Sequence, residues 1–205
     1  MDFRSRLMSQ FGNPRGFLGR IAGFIMSHRS SNLERIKWSV SLLDVQPDNN
    51  VLEIGFGPGI GIALLGEKAT NGIVFGIDRS PLMATMATQR NRKAIESGRV
   101  VLKESSISTL PDLGRKIDRV LDINTFQFWE NPSEVLKTIR QIMSAGGVIE
   151  ITHQPRELNA KEQDAVDAGA RISELMEQCG FVSISVEMKD MKPVVCVSVR
   201  GHKPV

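Results

Sequence analysis

Tyrosine is absent from the 205 residues. That removes the phenol both as a general base and as a wall of an aromatic cage. Cysteine is scarce. Cys179 and Cys196 have neither CxxC spacing nor a neighbouring histidine cluster, so neither a structural zinc site nor a disulfide framework is expected, and no metal ligand set is read from the chain. Long apolar runs are missing too. The most apolar early stretch, Gly16 to Met26, is interrupted by Arg20, well short of the roughly 20 residues a spanning helix needs. No unbroken apolar region with a small-residue cleavage site marks a signal peptide. The expected location is cytoplasmic. Net charge is small, +3, too little to argue for nucleic acid. What remains, 41% hydrophobic and 24% charged residues, is the composition of one globular domain with a real core.

The charge is unevenly spread. Residues 1–37 carry seven basic side chains against Asp2 and Glu34, whereas the remainder has 19 basic and 21 acidic residues. The basic character therefore belongs to the N-terminus. Phe17, Ile21, Phe24 and Ile25 recur there at helical spacing. A second helix is expected from Ser31-Asn32, as its cap, with Glu34 in its first turn and Leu33, Ile36, Val40 and Leu43 on its apolar face.

Beyond the turn at 46–50 the pattern changes to short apolar runs alternating with helical stretches. Strands are expected at 51–54, 73–77, 99–102, 117–123 and 148–152, and helices at 60–70, 81–97, 132–143 and 158–179. Strand and helix in regular succession imply a mostly parallel sheet with helices on both faces. The last two strands, 181–188 and 194–200, have a connection too short for a parallel crossover, so they form an antiparallel pair.

Glu53-Ile54-Gly55-Phe56-Gly57-Pro58-Gly59 follows the first strand and opens a helix. Glycines there let backbone approach a ligand, and a helix N-terminus offers free N–H groups. The dinucleotide fingerprint G-x-G-x-x-G would put its third glycine at position 60, which is Ile. No G-K-[ST] follows, so the loop is not a P-loop. Glu53 before the glycines would repel a pyrophosphate but attract an ammonium group. Asp78, at the tip of the second strand, can accept hydrogen bonds from both ribose hydroxyls. A nucleoside plus an ammonium, without pyrophosphate, describes S-adenosylmethionine.

The segments Val51–Gly59 and Gly76-Ile-Asp-Arg-Ser-Pro-Leu-Met83, in this order and spacing, resemble the class I S-adenosylmethionine-dependent methyltransferases, most closely the small stand-alone enzymes that methylate small molecules. The resemblance covers roughly residues 40 to 200. It implies an α/β, Rossmann-like, seven-stranded mostly parallel sheet with a C-terminal antiparallel hairpin, helices on both faces and an N-terminal helical lid. Residues 1–45 would be the lid or extension and 46–205 the catalytic domain. It also implies S-adenosylmethionine as cofactor and S-adenosylhomocysteine as product. Glu53 would lie near the cofactor's amino group. Gly55, Phe56, Gly57 and Gly59 would line its methionine and ribose portion. Asp78 would hold the ribose, with Arg79 and Met83 flanking the adenine, although a helical Met is as readily core. Where the family usually has an acidic residue for the adenine amino group, this chain has Ser106, followed by Ile107. Asn124 would meet the methionine end.

Asn124-Thr125-Phe126-Gln127-Phe128-Trp129 runs on from the fourth strand and belongs over the transferring methyl group. Phe128 and Trp129 are candidates for an acceptor wall, or are core. His153, at the end of the fifth strand, is a candidate base and acceptor contact, or a hydrogen-bonded rim histidine. Phe24 and His28 on the N-terminal helix complete the acceptor-binding candidates. No catalytic dyad is evident, which fits methyl transfer by proximity and alignment to a small-molecule N, O or C nucleophile. The N-terminal arginines would meet an anionic or amphiphilic acceptor. A membrane-surface helix presenting a lipid-like acceptor is a less favoured reading, as are an RNA or protein substrate and a cofactor-binding protein with altered chemistry. No nucleic acid partner is expected. Monomer and homodimer both stay open.

Overall fold

The computed structural model describes residues 30–157 and 159–205. The helix expected near the N-terminus, with Phe24 and His28, lies outside the described residues.

In chain order the described elements are α1 (Ser30–Leu42), β1 (Val51–Ile54), α2 (Ile60–Lys68), β2 (Val74–Asp78), α3 (Pro81–Arg90), α4 (Arg92–Glu96), β3 (Val100–Glu104), β4 (Ile117–Ile123), α5 (Pro132–Ile142), β5 (Met143–His153), α6 (Glu162–Gln178), β6 (Val182–Lys189) and β7 (Cys196–His202). The seven strands form one sheet in the order β3-β2-β1-β4-β5-β7-β6. All pairs from β3 to β5 are parallel. β7 is antiparallel to both β5 and β6. The chain winds outward from β1 to one edge and from β4 to the other. That reversal opens a crevice at the carboxyl ends of β1 and β4.

Local sequence explains most boundaries. Central parallel strands are covered on both faces, so β1 is buried at all four positions and reads as a nearly unbroken apolar run. Pro81 opens α3 behind the Ser80 cap, whose hydroxyl accepts from the Met83 N–H. Pro132 opens α5 behind Asn131. Two apolar layers result. Under α5 and α6, Leu52, Ile54, Val120, Ile149 and Val199 meet Leu136, Ile139, Ile172 and Met176. Under α1, α2 and α3, Val51, Val74 and Leu121 meet Val40, Leu43, Ile62, Leu65 and Ala87.

Several boundaries differ from the sequence reading. α1 already includes Ser30 and has no acidic residue in its first turn, so Ser31 and Asn32 are within the helix rather than caps. The expected 81–97 helix breaks at Asn91, whose φ of −102° and ψ of 15° separate α3 from α4. β5 begins at Met143 rather than Val148. Met143 pairs with Ile117 and the ladder resumes at Val148 opposite Arg119, so residues 144–147 form a bulge in which Gly146, at φ +71°, donates to the Lys203 carbonyl. β7 is tied to β5 by more than its ladder. Thr152 and Ser198 share a hydroxyl hydrogen bond of 2.7 Å, and Arg200 donates to Glu150 at 3.1 Å. Among the described residues no helix is long and apolar enough to cross a membrane.

Candidate active site

A cavity opens where the winding reverses. Ten of the residues expected there from sequence line it: Gly55, Gly57, Asp78, Arg79, Met83, Ser106, Ile107, Asn124, Phe128 and Trp129. They arrive from the ends of four parallel strands, β1 to β4, and the segments that follow, which no local pattern joins.

The three loop glycines are required for three different reasons. Gly55 has φ +70°, and a Cβ there would overlap the Thr125 side chain. Gly57 has φ +51° with open space around a would-be Cβ, and it lies in the cavity lining. Gly59 has φ +79°, and its Cβ would stand 2.8 Å from Ala87 Cα on α3. Gly59 is therefore a helix-packing glycine and does not line the cavity. Phe56 is 3% exposed and belongs to the layer beneath the loop, so it too is core rather than lining.

Carboxylates gather on this side. Asp78 Oδ2 accepts from the Gly57 N–H at 2.8 Å and Oδ1 from the Ser80 N–H at 2.9 Å. Burial raises its pKa, opposed by these two hydrogen bonds and by Arg79. Glu53 points away from the cavity toward α2, where it would touch a side chain at Gly61. It is 4% exposed and its Oε2 has no hydrogen-bond partner. Burial first, then the charges of Asp78 and Asp122, push its pKa up to about 8. It is not among the residues that line the cavity. Asp122 is fully buried, and burial raises it to about 7. Its oxygens accept from the Thr125 hydroxyl and from the Thr125 and Phe126 N–H groups. It thereby shapes the turn that carries Phe126, Phe128 and Trp129.

The aromatic turn divides its labour. Phe126 is core, 6% exposed, with its ring 5.0 Å from that of Trp129. Phe128 is 43% exposed and lies beneath the Arg79 guanidinium at 5.6 Å. Asn124 lines the cavity in a left-handed conformation, φ +58°, but its side chain is engaged elsewhere. It accepts from the Gln154 N–H at 2.8 Å and donates to the Gln154 carbonyl. Met83 is both core and lining, at 1% exposure. Ser106 caps the short turn Ile107–Thr109 by accepting from the Ser108 N–H at 3.3 Å. Its hydroxyl proton stays available to a ligand acceptor.

His153 is absent from the lining. It is half-buried, its Nδ1 is buried without a hydrogen-bond partner, and burial lowers its pKa. The geometry does not put it at the reaction centre. In its place stand residues the sequence did not single out. Arg156 lines the cavity just beyond β5, and Thr125 and Ser105 complete its polar rim. Gln154 joins the parts around it. It accepts from Arg35 of α1, pairs with Asn124, and donates to the Val194 carbonyl at 2.6 Å. Asp122, a carboxylate inside the apolar run Val120-Leu121-Asp122-Ile123, carried a readable signal: a buried charge is kept only where something uses it.

Comparison with known proteins agrees with this geometry. A family model described as a methyltransferase domain matches residues 52–151. The chain is 29% identical over 184 residues to YdaC, an uncharacterized methyltransferase of Bacillus subtilis, covering 90% of this chain and 98% of that one. A SAM-dependent methyltransferase of Aquifex aeolicus shares the fold with a TM-score of 0.69 at 17% identity, over 85% of this chain and 93% of that one. Haemonchus contortus phosphoethanolamine N-methyltransferase 2, in complex with phosphomonomethylethanolamine and S-adenosylhomocysteine, aligns with a TM-score of 0.64 at 15% identity, over 89% of this chain and 59% of that one. The glycine loop closed by Asp78, the strand order and these relatives together support a class I S-adenosylmethionine-dependent methyltransferase.

Proposed function

We propose that the protein moves the methyl group of S-adenosylmethionine to a nucleophilic N, O or C atom of a small, anionic or amphiphilic molecule. The observation that carries this reading is the composition of the cavity beyond the glycine loop. Phe128 and Trp129 offer an apolar wall, while Arg79 and Arg156 bring two guanidinium groups to the same lining. Guanidinium is the side chain best matched to a carboxylate or phosphate. The Haemonchus enzyme, bound to a phosphate-bearing acceptor, supports a small anionic molecule in this fold.

The sulfonium is an activated leaving group, so alignment supplies much of the rate. In this reading the glycine loop and Asp78 hold the cofactor, and the turn shaped by Asp122 sets the aromatic wall against the transferring methyl. The acceptor attacks in line from the Arg156 side. No general base is required of His153.

The remaining part of the reading concerns residues 1–29. α1 begins beside the carboxyl end of β5, where Arg35 meets Gln154 and Glu34 pairs with Lys189 at 3.4 Å. The start of α1 therefore lies near the carboxyl end of β5, which supports the reading of residues 1–29 as a basic lid over the acceptor. A panel of small amines, alcohols and carbon acids, each with and without a carboxylate or phosphate, tests the proposal by release of S-adenosylhomocysteine. Turnover confined to anionic members supports it. Turnover of RNA or protein alone would sink it.

A further inference from the structure

The glycine loop is held from behind as well as from the cavity. At the junction of α3 and α4 the Asn91 side chain, 5% exposed, donates to the Gly59 carbonyl at 3.0 Å and to the Ala87 carbonyl at 2.9 Å. Next to it, Arg90 Nε donates to the Pro58 carbonyl at 2.9 Å. A Cβ on Gly59 would stand 2.7 Å from Asn91 Nδ2, so the loop rests directly on this amide. The Gly59 carbonyl also accepts from Ala63 N–H at 3.2 Å. Asn91 therefore supplies its second donor, one that comes from another helix. On the opposite side of the loop, Gly57 N–H reaches Asp78.

A loop of three left-handed glycines has no side chains to fix it, and glycine populates many backbone states. Its shape must be imposed from outside. One planar group with two N–H donors is needed to bridge two carbonyls. Ser offers one donor and an ionised Asp offers none. The break between α3 and α4 at residue 91 puts such a group there.

We propose that Asn91, assisted by Arg90, is a positioning residue for the methyl donor: the α3–α4 junction clamps Pro58-Gly59 and so presents the Gly55 and Gly57 backbone to the cofactor. Neither residue lines the cavity; both act through the loop. The proposal rests on S-adenosylmethionine occupying this cavity.

The test compares the whole chain with Asn91→Ala, Asn91→Ser, Arg90→Met and a control, Ile139→Val. Ile139 is fully buried on the inner face of α5, in the core layer on the other side of the sheet from the loop, so its truncation lowers the melting temperature without touching the clamp. Calorimetry with S-adenosylmethionine should show affinity weakened about tenfold in Asn91→Ala, less in Asn91→Ser, and about threefold in Arg90→Met. Hydrogen exchange should quicken at the Gly57 and Gly59 amides while the Leu52 and Val120 amides keep their protection. Ile139→Val should bind like wild type. Arg90 is exposed, so Arg90→Met carries the test if Asn91→Ala does not fold. Wild-type affinity and unchanged loop exchange in the clamp variants would overturn the proposal, as would a loss no larger than the control's. A wild-type chain that ignores S-adenosylmethionine would instead remove the cofactor assignment on which the clamp depends.

Discussion

The carboxyl edge of the sheet carries two opposed chemistries. Over β1, β2 and β4 stand three carboxylates, Glu53, Asp78 and Asp122, all with raised pKa values. At the end of β5 stand His153 and Arg156, with Arg35 of α1 beside them; burial lowers the histidine's pKa, Glu157 opposes it, and the two arginines add to the lowering. In the proposed reading the first half receives the sulfonium and ammonium of the cofactor and the second an anionic acceptor, so a chain of small net charge serves both by sorting its charges along the edge.

The largest test of the acidic half is Asp78→Ala. It removes the proposed ribose acceptor and the partner of the Gly57 N–H together. Loss of two charge-assisted hydrogen bonds should weaken S-adenosylmethionine binding about 100-fold by calorimetry. Wild-type affinity in this variant would break the comparison at its strongest point.

A smaller effect comes from pH. Glu53 and Asp122 have folded pKa values of about 8 and about 7, above the ordinary carboxylate values. Their contribution to stability is full below the unfolded pKa and is lost as pH rises through the folded one. The unliganded protein should therefore melt at progressively lower temperature between pH 5 and 8. A cationic ligand favours the ionised carboxylates, so S-adenosylmethionine affinity should rise over that window by up to about tenfold per unit. Glu53→Gln should flatten both curves. Calorimetry in two buffers of different ionisation heat should reveal protons released on binding. Affinity that falls with pH would contradict the acidic half's role.

The basic half is sharpened by Arg156→Gln. It should raise the KM of an anionic acceptor about tenfold while leaving cofactor affinity unchanged. The smallest effect belongs to His153→Ala, which should keep at least about half of wild-type kcat, since the ring lies outside the cavity lining and alignment supplies the rate. A collapse of kcat with a lost basic limb in the pH profile would restore His153 as the base.

The two halves were unequally legible in the sequence. The place of Gly55, Gly57 and Asp78 in the cavity lining was readable because the βα turn and the tip of the next strand are local motifs with a set spacing. Even there, pattern alone could not tell Gly57, which faces the cavity, from Gly59, which α3 demands for packing. Glu53, expected near the cofactor's amino group, is buried outside the cavity lining, with Oε2 unpartnered. The antiparallel hairpin followed from one short connection, whereas β5's early start depended on pairing with Ile117 and Lys203 across the sheet. The acceptor half was harder because Arg156, Gln154 and Thr125 gain their roles only when loops after β4 and β5 meet α1. Asn91 was invisible for the same reason: nothing in residues 81–97 says which carbonyls its amide will reach.

The most direct measurement is a crystal structure of the full chain with S-adenosylhomocysteine bound. The expected complex has the ribose hydroxyls on the Asp78 carboxylate, the adenine beside Ser106 and Ile107, and the sulfur facing Asn124 and Phe128. A ligand bound elsewhere, or a ribose turned away from Asp78, would contradict it.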